Sequence, residues 1–263
     1  MGNEESVRLT VEGAVAWLAF NTPGRLNTLT LDTIRRLDAL LREVAANPHV
    51  RCLVVCGEGR AFMAGGDLGY LDEAGEQAPG EARKVIMALN VAVEVLSDLP
   101  VPTVASVHGA VAGAGNSIML ACDLAIAASD TRFVYAYDAI ASTPDGGLSW
   151  LLPRVVGQRR ALEIAFLSEP LTAQRAFDLG LVNRLVDPAA LEAETAALAG
   201  MLAGKATRAL VATRRLMRQG QERTWRDQLG QECLAFCESA QTRDFRDGVR
   251  AFFEKRPAQF VGK

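Results

Sequence analysis

In this chain of 263 residues, chemistry could be done by one carboxylate in a glycine-rich turn and by two glycine-rich stretches that follow apolar runs. The carboxylate is Asp145, in Pro144-Asp145-Gly146-Gly147, flanked by the apolar segments "VYAYDAIAS" and "LSWLLP". A carboxylate among apolar side chains is a stronger base than a free one, because burial disfavours its charged form. Pro-Asp-Gly is also the ordinary composition of a β-turn, so the same residues read equally as a turn-former. Tyr137 and Asp138 lie eight and seven residues upstream.

The glycine-rich stretches are "AFMAGGDL", after the apolar run at 51–55, and "GAVAGAGNSIML", after the run at 101–107. Small residues where a strand gives way to a helix let the backbone approach a ligand, and unpaired N–H groups there carry partial positive charge. Two such groups aimed at one point would make an oxyanion hole, each donor worth about 3 kcal/mol at the transition state. Close packing of strand on helix would account for either stretch alone. Neither fits the dinucleotide or P-loop fingerprints.

These residues need a scaffold. "VRLTVEGAVAWLAF" reads as a hairpin around Glu12-Gly13. "TLDTIRRLDALLREVAANP" puts Leu31, Ile34, Leu37, Leu41 and Val44 on one helical face, with Thr30 as cap and Asn47-Pro48 as stop. "VRCLVVCGEG" and "VPTVASVHG" are buried strands, and "LAIAAS" and "RFVYA" are short ones. The polar "YLDEAGEQAPGEA" predicts a mobile loop before a helix over about 81 to 98. Past residue 150 the pattern is helical, with "LVNRLV" as its one strand. The alternation predicts an α/β core over 1–190 with largely parallel pairing, and a helical region over 191–263.

Composition narrows the function. The chain is 49% hydrophobic and 22% charged with a net charge of −3, so it lacks the basic footprint of a nucleic-acid binder. No apolar run approaches a membrane span and no leader pattern is visible, which predicts a cytoplasmic protein. "MGNEES" formally matches a myristoylation pattern, but no basic patch follows it. The odd count of five cysteines argues against a disulfide framework, and Cys52, Cys56, Cys233 and Cys237 are expected as buried free thiols. His49 and His108 are far apart in sequence, so no metal site is expected.

Taken together, these motifs resemble the enoyl-CoA hydratase/isomerase (crotonase) superfamily. "FMAGGDL" is similar to its F-x-A-G-x-D-[LI] turn. "PTVASVHGAVAGAGNSIMLACDLAIAASDTRF" is similar to its second glycine segment, and "LTAQRAFDLGLVNRLVD" and "FFEKRPAQFVGK" to its later passages. The resemblance runs in order along nearly the whole chain. It implies a crotonase/ClpP-like spiral of ββα units with a helical C-terminal region that builds a homotrimer or homohexamer. It implies an acyl-CoA thioester as substrate, CoA being part of that substrate, with no separate cofactor. It implies Gly66 and Ala114 as the oxyanion donors, Ala114 standing where glycine is usual. Ala64, Asp67 and Leu68 would bound the CoA adenine, Arg25 would meet phosphate, and Phe252 and Lys255 would contact the nucleotide end, across a subunit boundary. Asp67 reads equally as a helix cap.

The sequence departs from that pattern where hydratases of the family carry two glutamates. Ser117 and Tyr137 stand at those positions, so hydration by two carboxylates is not expected. Both read as pocket-wall residues, Tyr137 equally as core, and Trp150 is expected beside the acyl group. "PDGGLSWLLPRVVG" is closest to the 1,2-epoxyphenylacetyl-CoA isomerase-like subgroup, which implies Asp145 as the single proton shuttle of an isomerase. Two alternatives stay open: an acyl-CoA binder of altered or no activity, and an aryl-CoA dehalogenase-type hydrolase using Asp145 as nucleophile. The second also needs an upstream histidine where this chain has Asn90.

Overall fold

The computed structural model describes residues 5–263, so the reading of the first four residues as neither leader nor lipidation signal lies outside the described residues. Strands β1 (Val7–Glu12) and β2 (Val15–Phe20) form the expected hairpin, turning through Gly13 at φ 61°. Helix α1 (Leu31–Ala46) follows, its first turn capped by Thr30, whose hydroxyl accepts the Thr33 N–H at 3.1 Å. Ile34, Leu37, Leu41 and Val44 are buried as the periodicity requires, joined by Leu40, whereas Leu31, expected on the same face, is only half-buried in the first turn. Strand β3 (Cys52–Gly57) leads to helices α2 (Leu68–Ala74) and α3 (Ala78–Ser97). The polar stretch read as a loop is therefore helical. Pro79 sits where its missing N–H costs the helix no hydrogen bond, and Gly75 makes the break between the two helices at φ 51°.

Strands β4 (Thr103–Val107) and β5 (Ala110–Ala112) precede α4 (Ala114–Ala121), and β6 (Leu124–Ala128) and β7 (Arg132–Val134) follow it. Helices α5 (Leu148–Val156) and α6 (Gln158–Leu167) come next. A two-residue strand that the pattern did not reveal, β8 (Leu171–Thr172), precedes α7 (Ala173–Asp178) and β9 (Arg184–Val186). Helices α8 (Leu191–Ala203), α9 (Thr207–Gly220), α10 (Trp225–Ala240) and α11 (Arg243–Glu254) complete the chain.

The main sheet runs β1-β2-β3-β4-β6-β9, parallel throughout except for the hairpin, and β5-β7-β8 form a small second sheet. Period-two alternation divides each central strand between two cores. Leu18, Leu53, Val55, Ala105 and Val107 join the leucines of α1 and α3 on one face. Cys52, Val54, Val104 and Ile126 meet Leu191, Leu198 and Ala199 of α8 on the other. Burial on both faces explains why β3 and β4 read as unbroken apolar runs.

The C-terminal helices are tied to this core by charge. Asp123 accepts from Arg214 at 3.0 Å and from Arg218 at 3.1 Å, and both guanidiniums also donate to main-chain carbonyls between Ser97 and Cys122. Cys233 and Cys237 are exposed, not buried as expected, because the outer face of α10 meets no other part of the protomer. Trp225, Phe236, Phe252 and Phe253 are likewise more than half exposed. Among the described residues no helix is long and apolar enough to cross a membrane.

Candidate active site

The two glycine turns are brought together by backbone pairing. The Met63 N–H donates to Ala110 O at 3.1 Å and the Ala112 N–H donates to Met63 O at 2.9 Å, a parallel bridge between Met63 and Val111. Three residues beyond each bridge partner stand Gly66 and Ala114. On the far side, the Leu29 N–H donates to Gly65 O and the Asp67 N–H to Leu29 O, at 2.8 and 3.0 Å. Those bonds occupy the neighbours of Gly66, and the Gly113 N–H is taken by Val134 O at 3.2 Å. Among the described residues, neither the Gly66 nor the Ala114 N–H has an acceptor. Gly65 and Gly113 make the approach possible. Both have positive φ, a backbone conformation that glycine adopts without strain. Ala114 opens α4 and has no positive φ, so its side chain does not disturb the N–H.

Both N–H groups border a cavity of about 170 Å³. Its walls are Leu29–Leu31 before and at the start of α1, Ala64–Leu68, Tyr70 and Leu71 of α2, Ala82, Val85 and Ile86 of α3, and the loop residues Ala136, Tyr137, Ile140, Ser142 and Asp145. A larger groove of about 640 Å³ lies elsewhere, beside Arg8, Glu58, Arg60 and His108, and neither glycine turn contributes to it. The smaller cavity joins the free Gly66 and Ala114 N–H groups to a carboxylate that, among the described residues, no cation pairs.

That carboxylate is Asp145. Its Oδ1 accepts the Tyr137 hydroxyl at 2.8 Å, and among the described residues no other residue donates to either oxygen. Its carbonyl accepts the Ser117 hydroxyl at 3.0 Å and the Leu148 N–H at 3.0 Å, which fixes the turn on α4. Gly146 is needed there, since at φ 54° a Cβ would sit 2.9 Å from the Ser117 Cβ. Burial pushes the Asp145 carboxyl above its ordinary range, and the Tyr137 hydroxyl and its own backbone N–H pull it only part of the way back. Burial and the adjacent carboxylate push the Tyr137 phenol up, so it stays protonated and remains a donor.

The remaining sequence-derived residues divide. Ala64, Asp67 and Leu68 line the cavity. Asp67 occupies the cap position of α2 but makes no cap hydrogen bond; its carboxylate is held by Arg25 at the surface. Ser117 is fully buried beneath the loop instead of lining the cavity wall. The strand read in "RFVYA" is shorter than expected, since β7 ends at Val134 and Ala136 turns the chain at φ 68°, so Tyr137 lies in the loop that follows. Trp150 lies outside the cavity, with the Arg154 guanidinium stacked 3.6 Å from its ring centre. Phe252 belongs to an apolar groove with Phe245 and Phe260, and Lys255 caps α11 at the surface. Neither reaches the cavity within the protomer. The Tyr137–Asp145 bond was not visible in the sequence; its one signal is the eight-residue spacing across a loop.

The family model for enoyl-CoA hydratase/isomerase matches residues 10–263. The chain is 36% identical to the 1,2-epoxyphenylacetyl-CoA isomerase of Escherichia coli (strain K12), over 96% of this chain and 97% of that one. It is 29% identical to the crotonyl-CoA hydratase of Syntrophomonas wolfei, over 98% and 99%. The crystal structure of an enoyl-CoA hydratase from Polaromonas sp. JS666 superposes with a TM-score of 0.93 at 33% identity, over 97% and 99% of the two chains.

Proposed function

Because the chain belongs to the enoyl-CoA hydratase/isomerase family and has its crotonase fold, we propose that it is an acyl-CoA isomerase with Asp145 as its single proton shuttle. One observation carries the choice of isomerase. Among the described residues the cavity has two carboxylates, and Arg25 holds one of them, Asp67. Asp145 is left as the only base. Hydration through two carboxylates lacks its second partner, because Tyr137 and Ser117 bear hydroxyls. The likeness to both an isomerase and a hydratase leaves the decision to these side chains.

In this reading the thioester oxygen accepts the Gly66 and Ala114 N–H groups. Asp145 removes a proton from C2 of a 3-enoyl thioester, and the electron pair moves into a dienolate whose charge rests on that oxygen. The protonated Asp145 then delivers the proton to C4, giving the conjugated 2-enoyl thioester and restoring the carboxylate. The same base and hole suit the opening of a ring epoxide on an acyl-CoA. Burial makes Asp145 a better match to this task than a free aspartate of pKa about 3.9. The exposed apolar side chains of α10 and α11 support assembly into a homotrimer or homohexamer, so light scattering should return three or six chain masses.

The test is the rate at which 3-enoyl-CoA becomes the conjugated thioester, read by absorbance. Wild type converts it, and Asp145→Asn does so at least about a hundredfold more slowly. Hydration of 2-enoyl-CoA faster than isomerisation of 3-enoyl-CoA by the wild type would overturn the reading. Binding of both thioesters with conversion of neither would leave an acyl-CoA binder.

A further inference from the structure

We infer that Tyr137 is a positioning residue for Asp145: its phenol pins one carboxylate oxygen and leaves the other to meet the substrate. This rests on the reading of Asp145 as the proton shuttle. The structure holds both partners independently of their mutual attraction. Ala136, at φ 68°, swings the chain out of line with β7 and aims the Tyr137 ring inward. Tyr135 then packs edge-on against that ring, with centroids 5.1 Å apart at 67°. The Tyr137 carbonyl accepts the Ser142 N–H at 3.0 Å and the Ile140 N–H at 3.3 Å, closing the loop behind it. The ring is buried, at 7% exposure. On the other side, Ser117 and Leu148 hold the Asp145 backbone. The phenol and the carboxylate therefore meet at 2.8 Å because the fold delivers them there.

The consequence is geometric and electrostatic. A carboxylate with both oxygens free turns about its side-chain torsions. Holding one oxygen keeps the other in a single place, and small misplacements of a catalytic group are costly to rate. The bond also favours the charged form of Asp145 against the burial that disfavours it. The family resemblance put a second carboxylate at position 137. A neutral donor there has the opposite effect, since a carboxylate so close would repel the Asp145 charge. The other titratable groups around the cavity are Asp67 and Tyr70 in its wall, Glu81, which accepts the Tyr70 hydroxyl, Lys84, which donates to Glu81, and Asp138 and Tyr135 beside Tyr137. Of these and Tyr137, only Tyr137 donates a hydrogen bond to Asp145.

The experiment uses the full chain labelled with carboxyl-¹³C aspartate. The Asp145 signal is assigned by its loss in Asp145→Asn, and its titration is followed in wild type, Tyr137→Phe and Ser117→Ala. The phenylalanine keeps the buried ring and removes the hydroxyl alone. Its expected result is a higher Asp145 midpoint, with kcat on the pH plateau reduced about tenfold and KM changed less than about twofold. Ser117→Ala removes a hydroxyl that bonds the Asp145 carbonyl and lies beside the Tyr137 phenol but makes no bond to the carboxylate, so it shifts the midpoint less than Tyr137→Phe does. An unshifted midpoint in Tyr137→Phe, or an equal shift in Ser117→Ala, overturns the inference. A shifted midpoint whose shift is absent from the acid limb of kcat supports the bond and overturns the shuttle role instead.

Discussion

Replacing Gly146 with alanine should damage stability and rate together, by amounts the structure sets. Gly146 has φ 54°, and a Cβ built there lies 2.9 Å from the Ser117 Cβ and 3.2 Å from Leu89 Cδ2. The left-handed backbone costs a non-glycine residue about 1–2 kcal/mol. Pushing a methyl against the buried wall of α4 adds about 1–3 kcal/mol. The wall cannot retreat cheaply, because Ser117 is fully buried and its hydroxyl is already bonded to the Asp145 carbonyl. Together these terms predict a loss of about 2–5 kcal/mol. Gly147 is the control. Its φ of 80° brings the same backbone penalty, but the nearest atom to its Cβ is 3.9 Å away. Gly147→Ala should therefore lose only about 1–2 kcal/mol. Urea denaturation of both variants measures the difference, and kcat on 3-enoyl-CoA measures displacement of the adjacent Asp145. A shift approaching 1 Å would cost about a hundredfold in kcat for Gly146→Ala. Equal stability losses in the two variants, or wild-type kcat in Gly146→Ala, would refute the claim that this close approach sets the turn.

Ala114→Pro removes one proposed oxyanion donor while suiting the first position of α4, so kcat should fall about 10²- to 10³-fold with the melting temperature nearly unchanged. Ala114→Gly, which keeps the donor, should stay within about twofold of wild-type kcat. Asp123→Ala strands the Arg214 and Arg218 guanidiniums against the core, and denaturation should show a loss of about 3–5 kcal/mol. The raised carboxyl of Asp145 gives a signed pH effect. The native state holds that proton more tightly than the unfolded chain, so stability falls as pH rises from the unfolded value through the folded one. Asp145→Asn should therefore gain stability over wild type near neutral pH, and the gain should shrink as pH drops below the ordinary carboxylate range, as melting curves at several pH values would show.

The parts of the fold that sequence made legible are those where one local pattern decides the outcome. Apolar β3 and β4 could only be strands buried on both faces, and the leucine spacing of α1 could only be an amphipathic helix. The glycine turns were legible as places where backbone N–H groups go unpaired, and as a pair only through the family resemblance. Their meeting depends on the Met63–Val111 bridge between segments far apart in sequence. The stretch at 70–82 misled because its polar residues face solvent on α2 and the start of α3, while Tyr70, Leu71 and Ala82 line the cavity. Cys233 and Cys237 misled for the converse reason, since an apolar helix face need not be covered by its own protomer. The role of Tyr137 was hidden because it depends on one positive φ, at Ala136, where alanine gives no warning of it.

The central claim is that Asp145 moves the proton, and deuterium exchange tests it most directly. Wild type and Asp145→Asn are each held with 3-enoyl-CoA in D2O, and label in the acyl chain is followed by mass spectrometry. The account predicts rapid incorporation by wild type and loss of it in Asp145→Asn, with thioester binding retained in both. Equal incorporation by the two proteins would contradict it.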